Sequence, residues 1–91
     1  MLSNEVVVNS FFYGNTARNT NVTVTSSKII NYYTTLLHRV NGRLIFNETK
    51  YSASTSRIQG LIRRRLVGKD YVSVTNVPMG TESLERYVNA N

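Results

Sequence analysis

The chain contains no cysteine and no tryptophan, one proline among 91 residues, and only five acidic side chains. Without cysteine there is no disulfide, no thiol nucleophile and no thiolate zinc site. No apolar run approaches the ~20 residues a bilayer-spanning helix needs, and Met1 to Asn9 carry neither a basic region nor a leucine-rich stretch. These absences predict a cytoplasmic protein held together by packing alone. At this length a chain buries only about two-thirds of its unfolded surface, so the expectation is one domain, residues 1–91, around one thin core.

The chemistry of catalysis is also thinly represented. His38 is the only histidine, and the five acids make no close pair, so neither a zinc set nor a two-metal nuclease centre is expected. Gly14, Gly42, Gly60, Gly68 and Gly80 lack the spacing of a phosphate loop. The expectation is a protein that is not an enzyme and has no metal or cofactor.

Uncharged polar residues dominate instead. Asn, Ser and Thr supply 11, 9 and 10 residues, while Val, Ile and Thr total 26 against three Ala. Branched side chains suit a pleated surface, which favours strands over a helical bundle. The fold class expected is α+β: a small antiparallel sheet of about four strands with a central hairpin, one packed basic helix and a short C-terminal helix.

Charge is concentrated in the middle of the sequence. The formal charge is +6, yet residues 18 to 69 hold ten Lys/Arg against a single acid, Glu48, while both ends are net acidic. Eight of the eleven cations are Arg, whose planar fork pairs two-pronged with phosphates or carboxylates. Simple solubility through net charge is the alternative explanation.

Along the chain, Glu5 to Tyr13 reads as a strand, Gly14 to Asn21 as a loop, and Val22 to Thr25 as a short strand. Lys28 to Val40 and Arg43 to Tyr51 are β-branched and aromatic runs joined by Asn41-Gly42, the strongest short hairpin cue. A two-residue loop pairs Leu37 with Phe46, His38 with Ile45, Thr35 with Glu48, Thr34 with Thr49 and Tyr32 with Tyr51. Leu37, Leu44 and Phe46 then face the core. Tyr32, Leu36, His38, Val40 and Ile45 share the other face, which must be covered by another layer or meet a partner.

Ser52 or Ser54 can cap a helix whose apolar stripe is Ile58, Leu61, Ile62 and Leu66. At 100° per residue Arg57 and Arg64 lie together beside that stripe, Arg63 points away from it, and Arg65 falls within its angular range and must snorkel or pair. Gly68 is a suitable stop. Asp70 to Val77 reads as a final strand ending at Pro78, and Thr81 can cap a short helix with Glu82 and Glu85 in its first turn.

The segment Asn31-Tyr32-Tyr33-Thr34-Thr35-Leu36-Leu37, then Asn41-Gly42, then Asn47-Glu48-Thr49-Lys50-Tyr51-Ser52-Ala53-Ser54-Thr55-Ser56-Arg57, resembles a family of small uncharacterised proteins of phages and other mobile elements. The family pattern is a Tyr-containing strand, a Gly turn, and Tyr-Ser followed by a Thr-Ser-basic-His step into a helix. Ile58 stands here in place of that His. The resemblance covers roughly residues 15 to 66 and implies a phage or mobile-element origin without implying a reaction.

The candidate binding residues are therefore Arg57, Arg63, Arg64 and Arg65 as phosphate contacts, Lys50 and Lys69 extending the footprint, and Tyr32 and Tyr51, with Tyr33 and Tyr71, as surfaces for base stacking. The expected partner is nucleic acid or a host nucleoprotein. An anti-defence inhibitor of a host protein, of the anti-CRISPR kind and anchored on the outer hairpin face, is the alternative, and a homodimer or virion component is a further one. No membrane partner is expected.

Overall fold

The computed structural model describes residues 1–88. Helix α1 (Asn4–Phe12) opens the fold, followed by β1 (Ala17–Arg18), β2 (Val22–Val24), β3 (Lys28–Asn31), β4 (Thr34–Val40) and β5 (Arg43–Asn47). Helix α2 (Ala53–Leu66) then crosses back to β6 (Tyr71–Val74), and α3 (Glu85–Val88) closes the described chain. The six strands form one sheet in chain order. Every pairing is antiparallel except β5 with β6, which is parallel because α2 carries the chain back to the starting end. The class is α+β as expected, with a mixed six-stranded sheet in place of an antiparallel one of about four strands.

The first correction is α1, a helix where the valine run suggested a strand. Ser3 caps it, with its Oγ accepting from the Val6 amide at 3.2 Å, and Glu5 lies in the positive first turn. Val7, Val8 and Phe11 are buried at helical spacing, while Val6 and Tyr13 are exposed. A strand would place Val7 and Val8 on opposite faces; the helix buries both, and that burial outweighs the low helix propensity of valine.

The second correction is the long N-terminal arm of the hairpin. The Asn41-Gly42 turn is present, with φ of 51° and 79°, and Leu37 pairs with Phe46 and His38 with Ile45. That ladder goes no further toward Thr34. Asn31 pairs instead with Thr34, so Tyr32 and Tyr33 form a second two-residue loop and the run splits into β3 and β4. Thr34 does not face Thr49 and Tyr32 does not face Tyr51. Register shifts between Ile29 and Ile30, leaving Leu36 as an extra residue in β4. That bulge breaks the alternation, and Leu36 enters the same core cluster as Leu37 instead of sharing the face of His38.

The sheet is covered on both sides. Val7, Val8 and Phe11 of α1 and Ile58, Ile62 and Leu66 of α2 pack on Val22, Val24, Ile29, Leu37 and Phe46. On the other face, Ile45 and Val74 pack with Val77 and Leu84, flanked by Val40, Val72, Tyr87 and Val88. The apolar outer face of the hairpin is thus covered by the chain's own C-terminal segment. Thr35 fastens that segment, donating its amide to the Thr81 carbonyl at 2.9 Å and its hydroxyl to the Glu82 carbonyl at 2.6 Å. Thr81 bonds the Pro78 carbonyl and does not cap α3, where the Ser83 hydroxyl accepts from the Glu85 amide at 3.3 Å.

His38 makes the same attachment at a titratable atom. It is buried in β4, and its Nδ1 accepts from the Leu84 amide at 3.1 Å, which fixes the neutral imidazole with its proton on Nε2. Burial first, and then Lys28 on the paired strand, hold its pKa below the ordinary 6.5, with Glu85 of α3 opposing. The unfolded chain therefore takes up a proton before the native state does. Stability from this group is complete above the ordinary imidazole value and falls as pH drops below it. Urea melts between about pH 7.5 and 5.5 should show that decline, and His38→Gln should flatten it; an identical slope in the variant would contradict the assignment.

Candidate nucleic-acid interface

Helix α2 displays the cations, and its two buried faces explain its seating. Ser52 caps it, with Oγ accepting from the Thr55 amide at 3.3 Å, and Gly68, at φ of 82°, ends it. Ile58, Ile62 and Leu66 are buried and Leu61 partly so, as the stripe predicts. Beside them, Gln59 donates through Nε2 to the carbonyls of Asn47 at 2.8 Å and Thr49 at 3.0 Å. This polar clasp locks the helix to the end of β5.

The four arginines fan out from this seat. Arg57 and Arg64, seven residues apart, are both exposed on the outward ridge, and neither has a carboxylate partner among the described residues. Arg63 does not point clear of the core: its guanidinium lies 5.4 Å from the centroid of the buried Phe46 ring and its Nη2 is 3.2 Å from Glu48 Oε1. Such an exposed pair contributes about 0–1 kcal/mol, so a competing phosphate can displace it. Arg65 leans toward α1, with its guanidinium carbon 5.3 Å from the Phe12 centroid and 5.1 Å from that of Tyr13. Lys69 joins it over Phe12 at 5.9 Å. These aromatic seats hold the charges at the surface.

Lys50 is exposed in the loop before α2. Arg39 escaped the sequence analysis; it stacks over Phe11 at 4.3 Å and donates to the Ser26 carbonyl at 3.0 Å. Its position in an apolar strand gave no cue, because the stacking partner comes from a helix read as a strand.

The structure brings three of the four candidate tyrosines together. Tyr32, Tyr33, Tyr51 and Met79 line a cleft of about 370 Å³ at the start of α2, with Asn31, Ser52 and Thr55 among its polar residues. A smaller cleft of about 270 Å³ adjoins it and shares Tyr32, Tyr33 and Gly80. Tyr33 is 83% exposed, Met79 76% and Tyr32 61%. Tyr71 lies elsewhere, edge-on to Phe46 with centroids 6.2 Å apart. Met79 has no sequence signal beyond an apolar residue in a Pro-Met-Gly turn.

Tyr32 occupies this cleft at a backbone cost. Its φ is 57°, a left-handed conformation that costs an L side chain roughly 1–2 kcal/mol and that tight hairpin loops usually give to Gly or Asn. Its hydroxyl donates to Asn21 Oδ1 at 2.8 Å, which orients the ring. The remaining polar groups are mostly occupied: Tyr51 OH donates to the Val77 carbonyl at 2.6 Å and accepts from Asn47 Nδ2 at 2.9 Å, and Thr55 Oγ1 donates to Asn31 Oδ1 at 2.7 Å.

Among the described residues no cluster of three or more His, Asp or Glu is placed to hold a metal, and no helix is long and apolar enough to cross a membrane. Comparison with known proteins finds no matching family model, no matching curated protein and no matching solved structure.

Proposed function

We propose that this protein is a non-enzymatic nucleic-acid-binding module of phage or mobile-element origin, acting in the host cytoplasm through the exposed face of α2. The observation that carries this reading is the uncompensated charge. Ten cations between residues 18 and 69 meet one acid in that stretch, the described residues contain one ion pair, and Arg57 and Arg64 stand free on the outward ridge. Phosphates supply the partner that the chain's own carboxylates do not. Arg65 and Lys69, seated on aromatic rings, extend the cationic surface along one flank, and Arg63 extends it along the other.

The inhibitor of a host protein is the less favoured reading, because the hairpin face that would anchor it is covered by Val77, Leu84, Tyr87 and Val88. A mobility-shift titration with Arg57→Ala/Arg64→Ala separates phosphate contact from a merely solvated helix face. Both side chains are exposed, so the double variant should melt as the parent does. Its binding should weaken, and its salt slope should fall by about 1.4 on single strands. Unchanged affinity, or capture of a host protein that survives nuclease treatment, would transfer support to the rival.

A further inference from the structure

We infer that the cleft between Tyr32, Tyr33, Tyr51 and Met79 receives an unstacked base, which makes the favoured partner a single strand and not a duplex. The inference rests on the nucleic-acid reading above and assigns its cleft a separate task. The basic helix face holds phosphates, and the tyrosine cleft holds a base.

Three observations support it. The cleft, at about 370 Å³, lies at the small end of the ~300–1,000 Å³ span of small-molecule pockets, which suits one nucleoside better than a peptide segment. Its aromatic rim is exposed, with Tyr33 and Tyr32 both well over half accessible, and Tyr32 is kept there in a backbone conformation that glycine would adopt without strain. The surroundings do not oppose a phosphate backbone: no carboxylate lines the cleft and the exposed Lys50 precedes Tyr51, while in the adjoining cleft the charge of Lys28 is balanced by that of Glu82.

The same geometry sets the kind of recognition. Tyr32, Tyr51 and Thr55 already spend their hydroxyl hydrogens on Asn21, Val77 and Asn31. The cleft therefore offers ring faces more than free donors, so binding should depend on the presence of a base more than on its identity. A duplex, whose bases remain stacked and paired, cannot use it.

The test compares fluorescence-anisotropy titrations with a short oligothymidylate, an abasic oligomer with the same number of phosphates, and a duplex matched in phosphate number. The wild-type protein should bind oligothymidylate roughly 10-fold more tightly than the abasic oligomer, and its tyrosine fluorescence, unmasked by any tryptophan, should be quenched only by the former. Tyr32→Gly should abolish that difference while melting at the same or a higher temperature, and Tyr32→Phe should keep it. Equal binding of the base-bearing and abasic strands by the wild type would overturn the inference while leaving the phosphate reading intact. Absence of binding to all three would overturn both. A Tyr32→Gly protein that melts lower yet retains the preference would assign Tyr32 a structural role and remove it from the base site.

Discussion

Asn47→Leu is expected to destabilise the protein by about 3–5 kcal/mol, although the two side chains match in heavy-atom count and branching. Asn47 is fully buried at the end of β5 and joins four parts of the fold. Its Nδ2 donates to the Thr35 carbonyl of β4 at 3.2 Å and to Tyr51 OH at 2.9 Å, and its Oδ1 accepts from the Thr49 amide at 3.0 Å. Tyr51 OH in turn donates to the Val77 carbonyl, which links the hub to the C-terminal segment. Leucine leaves the Thr49 amide and the Thr35 carbonyl without these partners, and each such orphan costs about 1–3 kcal/mol. A domain of this size has roughly 5–14 kcal/mol in total. The melting temperature should drop by roughly 12–40 °C. A shift of only a few degrees would show that water or a rearranged loop restores the bonds.

Phe46→Ala should cost a comparable amount, about 3–5 kcal/mol, through a different mechanism. The ring is fully buried between the sheet and α2, pairs across the hairpin with Leu37, and meets the Tyr71 ring edge-on. Removing it leaves a cavity and also removes the surface on which Arg63 rests. Chemical denaturation should show a lower midpoint with an unchanged slope, since the surface exposed on unfolding is nearly the same. Phe46→Leu should recover most of the loss. If alanine proved as stable as the parent, the core would not be centred where the structure places it.

Local pattern was enough wherever one segment determined its own shape. The Asn41-Gly42 turn fixed the pairing of Leu37 with Phe46 because both residues must take positive φ. The stripe from Ile58 to Leu66 and the Ser52 cap were likewise legible, because α2 is amphipathic along its whole length. Three valines in α1 defeated the same approach: their β propensity is intrinsic, whereas the burial of Val7 and Val8 that favours the helix comes from α2 and the sheet. The split at Tyr32 was hidden because neither loop residue is Gly, Asn or Asp, and the chain accepts a strained tyrosine there. At the candidate site, sequence named Tyr32 and Tyr51 but put them in one strand pair. They meet in fact across a cleft formed by a hairpin loop, the start of α2 and the Pro78 turn. Met79 and Arg39 were illegible because their partners are contributed by distant parts of the chain.

Binding to a single-stranded oligonucleotide, followed by anisotropy across a series of salt concentrations, tests the central claim most directly. If the cationic face of α2 engages phosphates, log affinity should fall linearly with log salt, with a slope of about −0.7 for each phosphate neutralised, and Arg57→Ala/Arg64→Ala should make the line shallower. Affinity that is absent, or that does not change with salt, would contradict the account.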